Sequence, residues 1–261
     1  MVARFNRLLS GTQFVERPYF LQFPLCVRDD LRALVGRFSS LERHIFDSTD
    51  EGAMKQLFCK YLNDIWISEI PPDTAFNTEE VVEILLEGSD SAEPAVAAAL
   101  TEQGVTNPAR VAKKLVNLHR ACETAFGKDF HTPSTSPFDV ELAKAFHSVI
   151  GAGIIKTPGD YRTIAVQAAQ STVMYALPAQ ISLRMDTLFQ WVRSRVEEAN
   201  SKSYAMDRAD FMFRVGAVFF SEFLLIHPFA NGNGRTARLL LSILLLNITT
   251  VPLSLSVSSP S

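Results

Sequence analysis

Two long apolar segments, Phe211 to Ile226 and Thr236 to Leu246, flank a short polar stretch late in the chain. Both are too uniformly apolar for a surface helix and read as helices submerged in a core. Pro228 stops the first, because proline lacks an N–H and pushes the residue before it out of the helical region. Narrower stripes mark further helices. Met185, Leu188, Phe189, Val192 and Val196 fall on one face, with Arg184, Arg193, Arg195 and Glu197 largely elsewhere. Asp139 to Ile150 turns Leu142, Phe146 and Val149 inward. In the first half, Arg28 to Phe46, Gly52 to Ile67, Thr78 to Glu87 and Pro108 to Phe126 are helix-compatible, and Ala95 to Leu100 is a short alanine-rich helix. Thr78, with Glu79 and Glu80 behind it, suits a helix start, where acids favour the positive end of the dipole. Gly88 to Pro94 and Gly104 to Pro108 read as loops, and Lys128 to Pro137 as a connector. One place breaks the helical pattern. Ile164-Ala165-Val166 and Val173-Met174-Tyr175, around the polar tip Gln167 to Thr172, read as a hairpin. The expected fold is all-α with a small β-hairpin, divided into an N-terminal helical region, 1–135, and a second unit, 136–261.

Composition narrows the class. The chain has 261 residues, 47% of them hydrophobic, enough for a sizeable core. A net charge of −3 gives no electrostatic footprint for nucleic acid. Three scattered cysteines, Cys26, Cys59 and Cys122, argue against a disulfide framework or a zinc site and suit a reducing compartment. The start has no apolar run of signal-peptide form, and Leu239 to Leu246 is too short to span a bilayer. A cytoplasmic protein with neither nucleic acid nor membrane as partner is expected.

The polar stretch between the two apolar helices is His227-Pro228-Phe229-Ala230-Asn231-Gly232-Asn233-Gly234-Arg235-Thr236-Ala237-Arg238. A helix start leaves backbone N–H groups unpaired and carries partial positive charge. Gly232 and Gly234 let those amides approach an anion closely, and Asn233 offers a side-chain donor. Arg235 and Arg238 are three apart and share a helical face, and guanidinium forks suit phosphate oxygens. His227, at the other end of the loop, is placed to take a proton from an attacking hydroxyl, a role typically worth about 10²–10⁴-fold in rate. The other histidines, His44, His119, His131 and His147, lack partners at ligand spacing and read as structural or exposed.

This stretch resembles the signature of the Fic (fido-domain) family, H-P-F-x-D/E-G-N-G-R-x-x-R, at every fixed position but one. The hairpin after Gly159-Asp160-Tyr161-Arg162 resembles the family's flap, and the likeness runs from about Phe138 to Asn247. It implies a mainly helical fido fold and transfer of AMP from ATP, with Mg²⁺, to a Ser, Thr or Tyr hydroxyl of a target protein. It casts His227 as the base; Gly232, Asn233, Gly234, Arg235 and Arg238 as the nucleotide-binding set; and Arg162, Thr163, Ile164 and Val166 as flap residues positioning an extended target segment, a form of β-augmentation.

The departure is Asn231, where the family usually has an acid that helps hold Mg²⁺. Asn still offers a carbonyl oxygen but no charge, so weakened metal use is expected. The family's inhibitory S/T-x-x-x-E-G/N pattern is not found at its expected place. Glu69 is the candidate to reach Arg238, but Pro71 and Pro72 break a helix just beyond it, and an exposed acid before a loop is the plainer reading. The segment after Asn247 is shorter than the family's usual helical closure. Leu239 to Leu246 is then expected to be partly uncovered, which would favour association, a homodimer in the simplest case. Two alternatives stand beside adenylyl transfer: a related reaction with another nucleotide donor or removal of AMP, and a catalytically weak nucleotide-binding interaction module.

Overall fold

The computed structural model describes residues 60–66, 76, 78–88, 92–127, 136–167, 175–249 and 252–253. Among these residues the structure is helical, with no sheet. Helix α1 covers residues 60–66, and α2 Thr78–Leu86, α3 Ala92–Glu102 and α4 Pro108–Phe126 follow. The second half supplies α5 (Val140–Gly151), α6 (Pro178–Asn200), α7 (Ala205–Ile226) and α8 (Asn233–Thr249). The expectations on Arg28 to Phe46, Cys26, Cys59, His44, Glu69 and His131 lie outside the described residues.

Local chemistry explains the boundaries. The carboxylate of Asp139 accepts the N–H groups of Glu141 and Leu142, both at 3.0 Å, and so caps α5. Pro108 and Pro178 open α4 and α6, where a missing N–H costs nothing. Helix α3 starts earlier than the alanine run suggests, because Pro94 falls in its first turn and is tolerated there. Helix α7 likewise begins at Ala205, six residues before the apolar run.

Packing places α8 at the centre. It lies against α4, α5 and α7, while α7 also packs on α6, and α4 on α3 and α5. Phe126, Phe146, Phe189, Phe219, Phe223 and Phe229 are fully buried in one continuous core that takes residues from α1 through α8. The expectation that Leu239 to Leu246 would be partly uncovered is overturned: Leu239 and Leu240 are 0% exposed and Leu244, the most exposed leucine of the run, 7%. The covering comes from four sides. Besides the three neighbouring helices, Tyr61 of α1 donates to Ser242 Oγ at 2.9 Å, and that hydroxyl lies 2.7 Å from the Leu253 carbonyl. The leucines of this run therefore form a spine of the core.

Of the expected hairpin, the described residues show the base. Its arms meet where Tyr175 N–H donates to Val166 C=O at 3.4 Å, and Gln167 forms a single bridge. Residues 168–174, which hold most of the tip, are outside the described set.

Candidate active site

His227 closes α7. Its N–H donates to Phe223 C=O at 2.9 Å, and its backbone turns into the left-handed region, φ 51° and ψ 59°. That conformation is uncommon for any residue but glycine and costs free energy. It reverses the chain immediately after the helix and leaves the imidazole half-buried at the helix end. Burial pushes the imidazole below its ordinary value, the nearby Arg162 guanidinium adds to this, and a hydrogen bond to the Leu224 backbone opposes it. The ring is therefore neutral at pH 7, the state a proton acceptor needs.

Asn233 opens α8 and is 2% exposed. Its side chain turns inward: Nδ2 donates to Phe229 C=O at 2.8 Å, and Oδ1 accepts Phe229 N–H at 3.0 Å. The amide oxygen and one N–H thus clasp the loop across its own width, and the second Nδ2 hydrogen is the part of the side chain left for the expected anion contact. Its backbone N–H remains at the open end of the helix beside that of Gly234, since the first turn closes with Thr236 N–H on Gly232 C=O at 3.0 Å. Gly232 adopts φ +77°, which a side chain resists. Its N–H is taken by the Asn231 side-chain oxygen at 2.6 Å. Arg235 and Arg238 are 5% and 8% exposed. Two guanidinium groups thus lie buried in the first two turns of a helix whose N-terminus is already positive. A polyanion is the chemical complement of that arrangement.

Arg162, read from sequence as a flap residue, is 5% exposed and faces away from any docking segment. Its Nε donates to His227 C=O at 2.7 Å and its Nη1 to Ile164 C=O at 2.6 Å. Nη2 donates to Ala176 C=O and, at 3.3 Å, to Ile226 C=O. Its backbone N–H donates to Pro228 C=O at 2.9 Å. One guanidinium therefore ties both hairpin arms to the end of α7. Thr163 and Ile164 are exposed on the outgoing arm, Ile164 by 63%, and Leu177 on the return arm by 52%. Val166 is half-buried.

His147 was read only as structural or exposed, and its place in the site was missed. It is 0% exposed and stacks flat on Phe229, with ring centroids 3.7 Å apart and planes 3° apart. Gly159 N–H donates to Nδ1 at 2.8 Å, which assigns the proton to Nε2, and Nε2 donates to Asn231 C=O at 2.9 Å. Burial and Arg235 lower its proton affinity, against the opposing pull of the Asn231 carbonyl and Asp160. A neutral His147 thus holds the loop from below. The available signal was a polar residue one position from Phe146 on a buried stripe, which demands partners.

The metal expectation rests on Asn231. Its side-chain oxygen is neutral and already accepts Gly232 N–H. No group of three or more His, Cys, Asp or Glu side chains suited to a metal occurs among the described residues. On this loop, Asn231 would offer a Mg²⁺ ion one neutral oxygen, with nucleotide phosphates as its main ligands. A cavity of about 370 Å³ lined by Lys202, Tyr204, Asp207 and Arg214 sits at the start of α7. It is a helix length, ~30 Å, from His227 and does not belong to this site.

A loop that presents an imidazole at one end and a positive helix start at the other, inside a helical bundle with a hairpin alongside, defines a Fic-type fold. Residues 137–245 match the sequence model of the Fic/DOC family. Over those residues the chain is similar to that family. A Fic family protein from Desulfovibrio desulfuricans G20 superposes with a TM-score of 0.61 at 17% identity, covering 90% of this chain and 63% of that one. A Fic domain containing signaling protein from Bacteroides thetaiotaomicron VPI-5482 gives 0.50 at 17% identity, over 82% and 72% of the respective chains. A fragment of Fic-1 from C. elegans gives 0.54 at 16% identity, over 97% and 63%. The chain thus spans less than two thirds of the first and third of these structures. No significant match was found among curated proteins. No helix among the described residues is long and apolar enough to cross a membrane.

Proposed function

We propose that the protein is an adenylyltransferase that moves AMP from ATP to a Ser, Thr or Tyr hydroxyl of another protein. Similarity to the Fic/DOC family supports nucleotide-monophosphate transfer in general. The observation that carries the finer reading is the pairing of a neutral His227 with the buried Arg235 and Arg238 across one short loop. In this reading the open backbone amides of Asn233 and Gly234, with the two guanidinium groups, hold the triphosphate. His227 takes the proton of the target hydroxyl as its oxygen attacks the α-phosphorus. The bond to the β-phosphate oxygen breaks, and pyrophosphate leaves against Arg235 and Arg238. The ring nitrogen bonded to the Leu224 carbonyl keeps its hydrogen, so the other nitrogen presents the lone pair. The hairpin arms, with exposed Ile164 and Leu177, receive an extended target segment. Mg²⁺ bound to the phosphates offsets their charge, with Asn231 as its protein neighbour.

A second reading has one specific observation in its favour. Asn231 gives no negative charge and spends its oxygen on Gly232 N–H, which suits weak nucleotide binding without efficient transfer. The test is incubation of the full chain with labelled ATP, CTP, GTP or UTP and Mg²⁺, followed by intact-mass analysis. An AMP adduct that disappears in His227→Ala, while ATP binding persists, supports adenylyl transfer. An adduct from another nucleotide alone moves the reading to a different donor. Binding with no adduct favours the interaction module.

A further inference from the structure

The return arm of the hairpin carries a residue that touches the candidate base directly. Tyr175 lies flat on the His227 imidazole, with ring centroids 4.0 Å apart and planes 12° apart. We propose that Tyr175 is a positioning residue for His227, and that the stack makes the orientation of the base depend on where the hairpin arms sit. The inference rests on His227 being the base of the reaction proposed above.

Four features of the structure support it. The His227 backbone is fixed on both sides, by its N–H on Phe223 and by Arg162 on its carbonyl, but rotation of its ring is set by side-chain contacts. The ring's polar restraint is to the Leu224 backbone, which leaves the planar faces to be held by packing. Tyr175 supplies that packing on one face, as a parallel aromatic contact. Its own backbone is held between two bonds: Tyr175 N–H pairs with Val166, and the carbonyl of the next residue, Ala176, accepts from Arg162.

The consequence is mechanical. The same guanidinium grips Ile164 and Ala176 on the arms and Ile226 and His227 at the end of α7. An arm displaced by a poorly fitting segment carries the Tyr175 ring with it and lets the imidazole rotate away. A segment that pairs well with the arms holds the ring in place. Target fit would thereby be read at the proton-accepting atom, and the exposed Ile164 and Leu177 are where such a segment would press.

The test uses the full chain with Tyr175→Ala and Tyr175→Phe, and it has a readout that needs no activity. The His227 imidazole resonance, assigned by its loss in His227→Ala, is followed by NMR from pH 5 to 8. The titratable or charged groups acting on that ring are Arg162, which lowers its proton affinity, and Tyr175 itself. In Tyr175→Ala the ring gains water, so its midpoint rises toward the ordinary histidine value and its resonance moves. Tyr175→Phe keeps the wild-type midpoint, because the stack and not the hydroxyl is what acts. Under the proposed reaction, Tyr175→Ala lowers the initial rate of AMP-adduct formation by about tenfold or more at saturating ATP, with ATP affinity unchanged within about twofold. Tyr175→Phe restores the rate. Unchanged His227 behaviour in Tyr175→Ala would overturn the positioning role, and so would a Phe variant as impaired as the Ala variant. If wild type forms no adduct, the function reading fails, and the resonance still decides whether Tyr175 holds the ring.

Discussion

Replacing Arg162 with methionine tests the architecture at its narrowest point. The side chain is 5% exposed and donates to four backbone carbonyls, three of them at short distance. Methionine fills similar volume but donates nothing, so the carbonyls of Ile164, Ala176, Ile226 and His227 lose a charged partner. A hydrogen bond to a charged group contributes about 1.5–3 kcal/mol net, and an orphaned buried acceptor costs about 1–3 kcal/mol. Removing the burial cost of the guanidinium itself offsets part of this. The expected loss is about 3–5 kcal/mol, in the range reserved for broken buried networks. At about 2–4 °C per kcal/mol for a domain of this size, that is roughly a 10 °C fall in Tm or more. Urea unfolding followed by far-UV circular dichroism measures it, as a lower midpoint at unchanged m. Arg162→Lys keeps the charge but cannot span four carbonyls, and should fall between the two. A methionine variant within about 1 kcal/mol of wild type would mean that these carbonyls find other partners, and would refute the claim that one guanidinium ties the hairpin to α7.

The remaining predictions concern the loop and its histidines. Gly232→Ala should cost about 1–2 kcal/mol, from its φ of +77°. The added methyl would meet His147 Cδ2 only at an ordinary 3.5 Å, so a loss well above that, measured by the same urea titration, would show that space rather than dihedral sets the cost. Asn231→Asp should strengthen the contact to Gly232 N–H and supply a charge for Mg²⁺. Adduct formation should then rise most at low Mg²⁺, and identical Mg²⁺ titrations for the two proteins would remove Asn231 from metal use. His119, His147 and His227 all hold their protons less tightly than an ordinary histidine, with burial as the largest cause. Their contribution to stability is complete above the ordinary value near 6.5 and is lost as pH falls through each lowered folded value. Urea midpoints should therefore drop between pH 7 and 5, against an opposite slope from the buried Glu222, whose carboxyl is raised. His147→Gln, which keeps a donor for Asn231, should flatten the drop; an unaltered slope would clear His147 of any part in it.

Legibility in the sequence divides by range. Helices α4 and α5 were readable nearly to the residue because their signals are local: Pro108 at the start of one, and Asp139 capping the other with two N–H groups. The loop between the two buried helices was readable because it is contiguous. The supports of that loop were not, since they come from far along the chain. Arg162 and His227 are 65 residues apart, and His147 and Asn231 84. A one-dimensional pattern gives no register for such pairs. The scaffold role of Asn233 was not readable for a different reason: a short polar side chain beside glycines suggests a ligand, but a loop this tight also has its own backbone to satisfy. That α8 is submerged was readable from its apolar run; what covers it was not, because the cover includes Tyr61, 181 residues away from its partner Ser242.

The arrangement of charge around α8 separates the chemistry from the scaffolding. A helix built only for stability places cations at its C-terminal end, where the dipole gains about 0.3–1 kcal/mol, and acids at its start. Helix α8 has no acid in its first turn and carries Arg235 and Arg238 near that end instead, both buried. Burial removes the solvent that would screen their mutual repulsion and their repulsion from the helix start. Each of these placements runs against the preference of the helix dipole, and concentrated negative charge is its chemical complement, which is what the proposed function uses. The neutral residues follow the same logic. His147 and Asn233 hold the loop without adding charge, through a stacked imidazole and an amide clasp. Asn231 belongs with them by its contacts, although its position in the signature belongs to an acid. This is why the Mg²⁺ titration of Asn231→Asp is the most discriminating measurement on the loop. It asks whether residue 231 serves the scaffold alone or also the nucleotide of the proposed function.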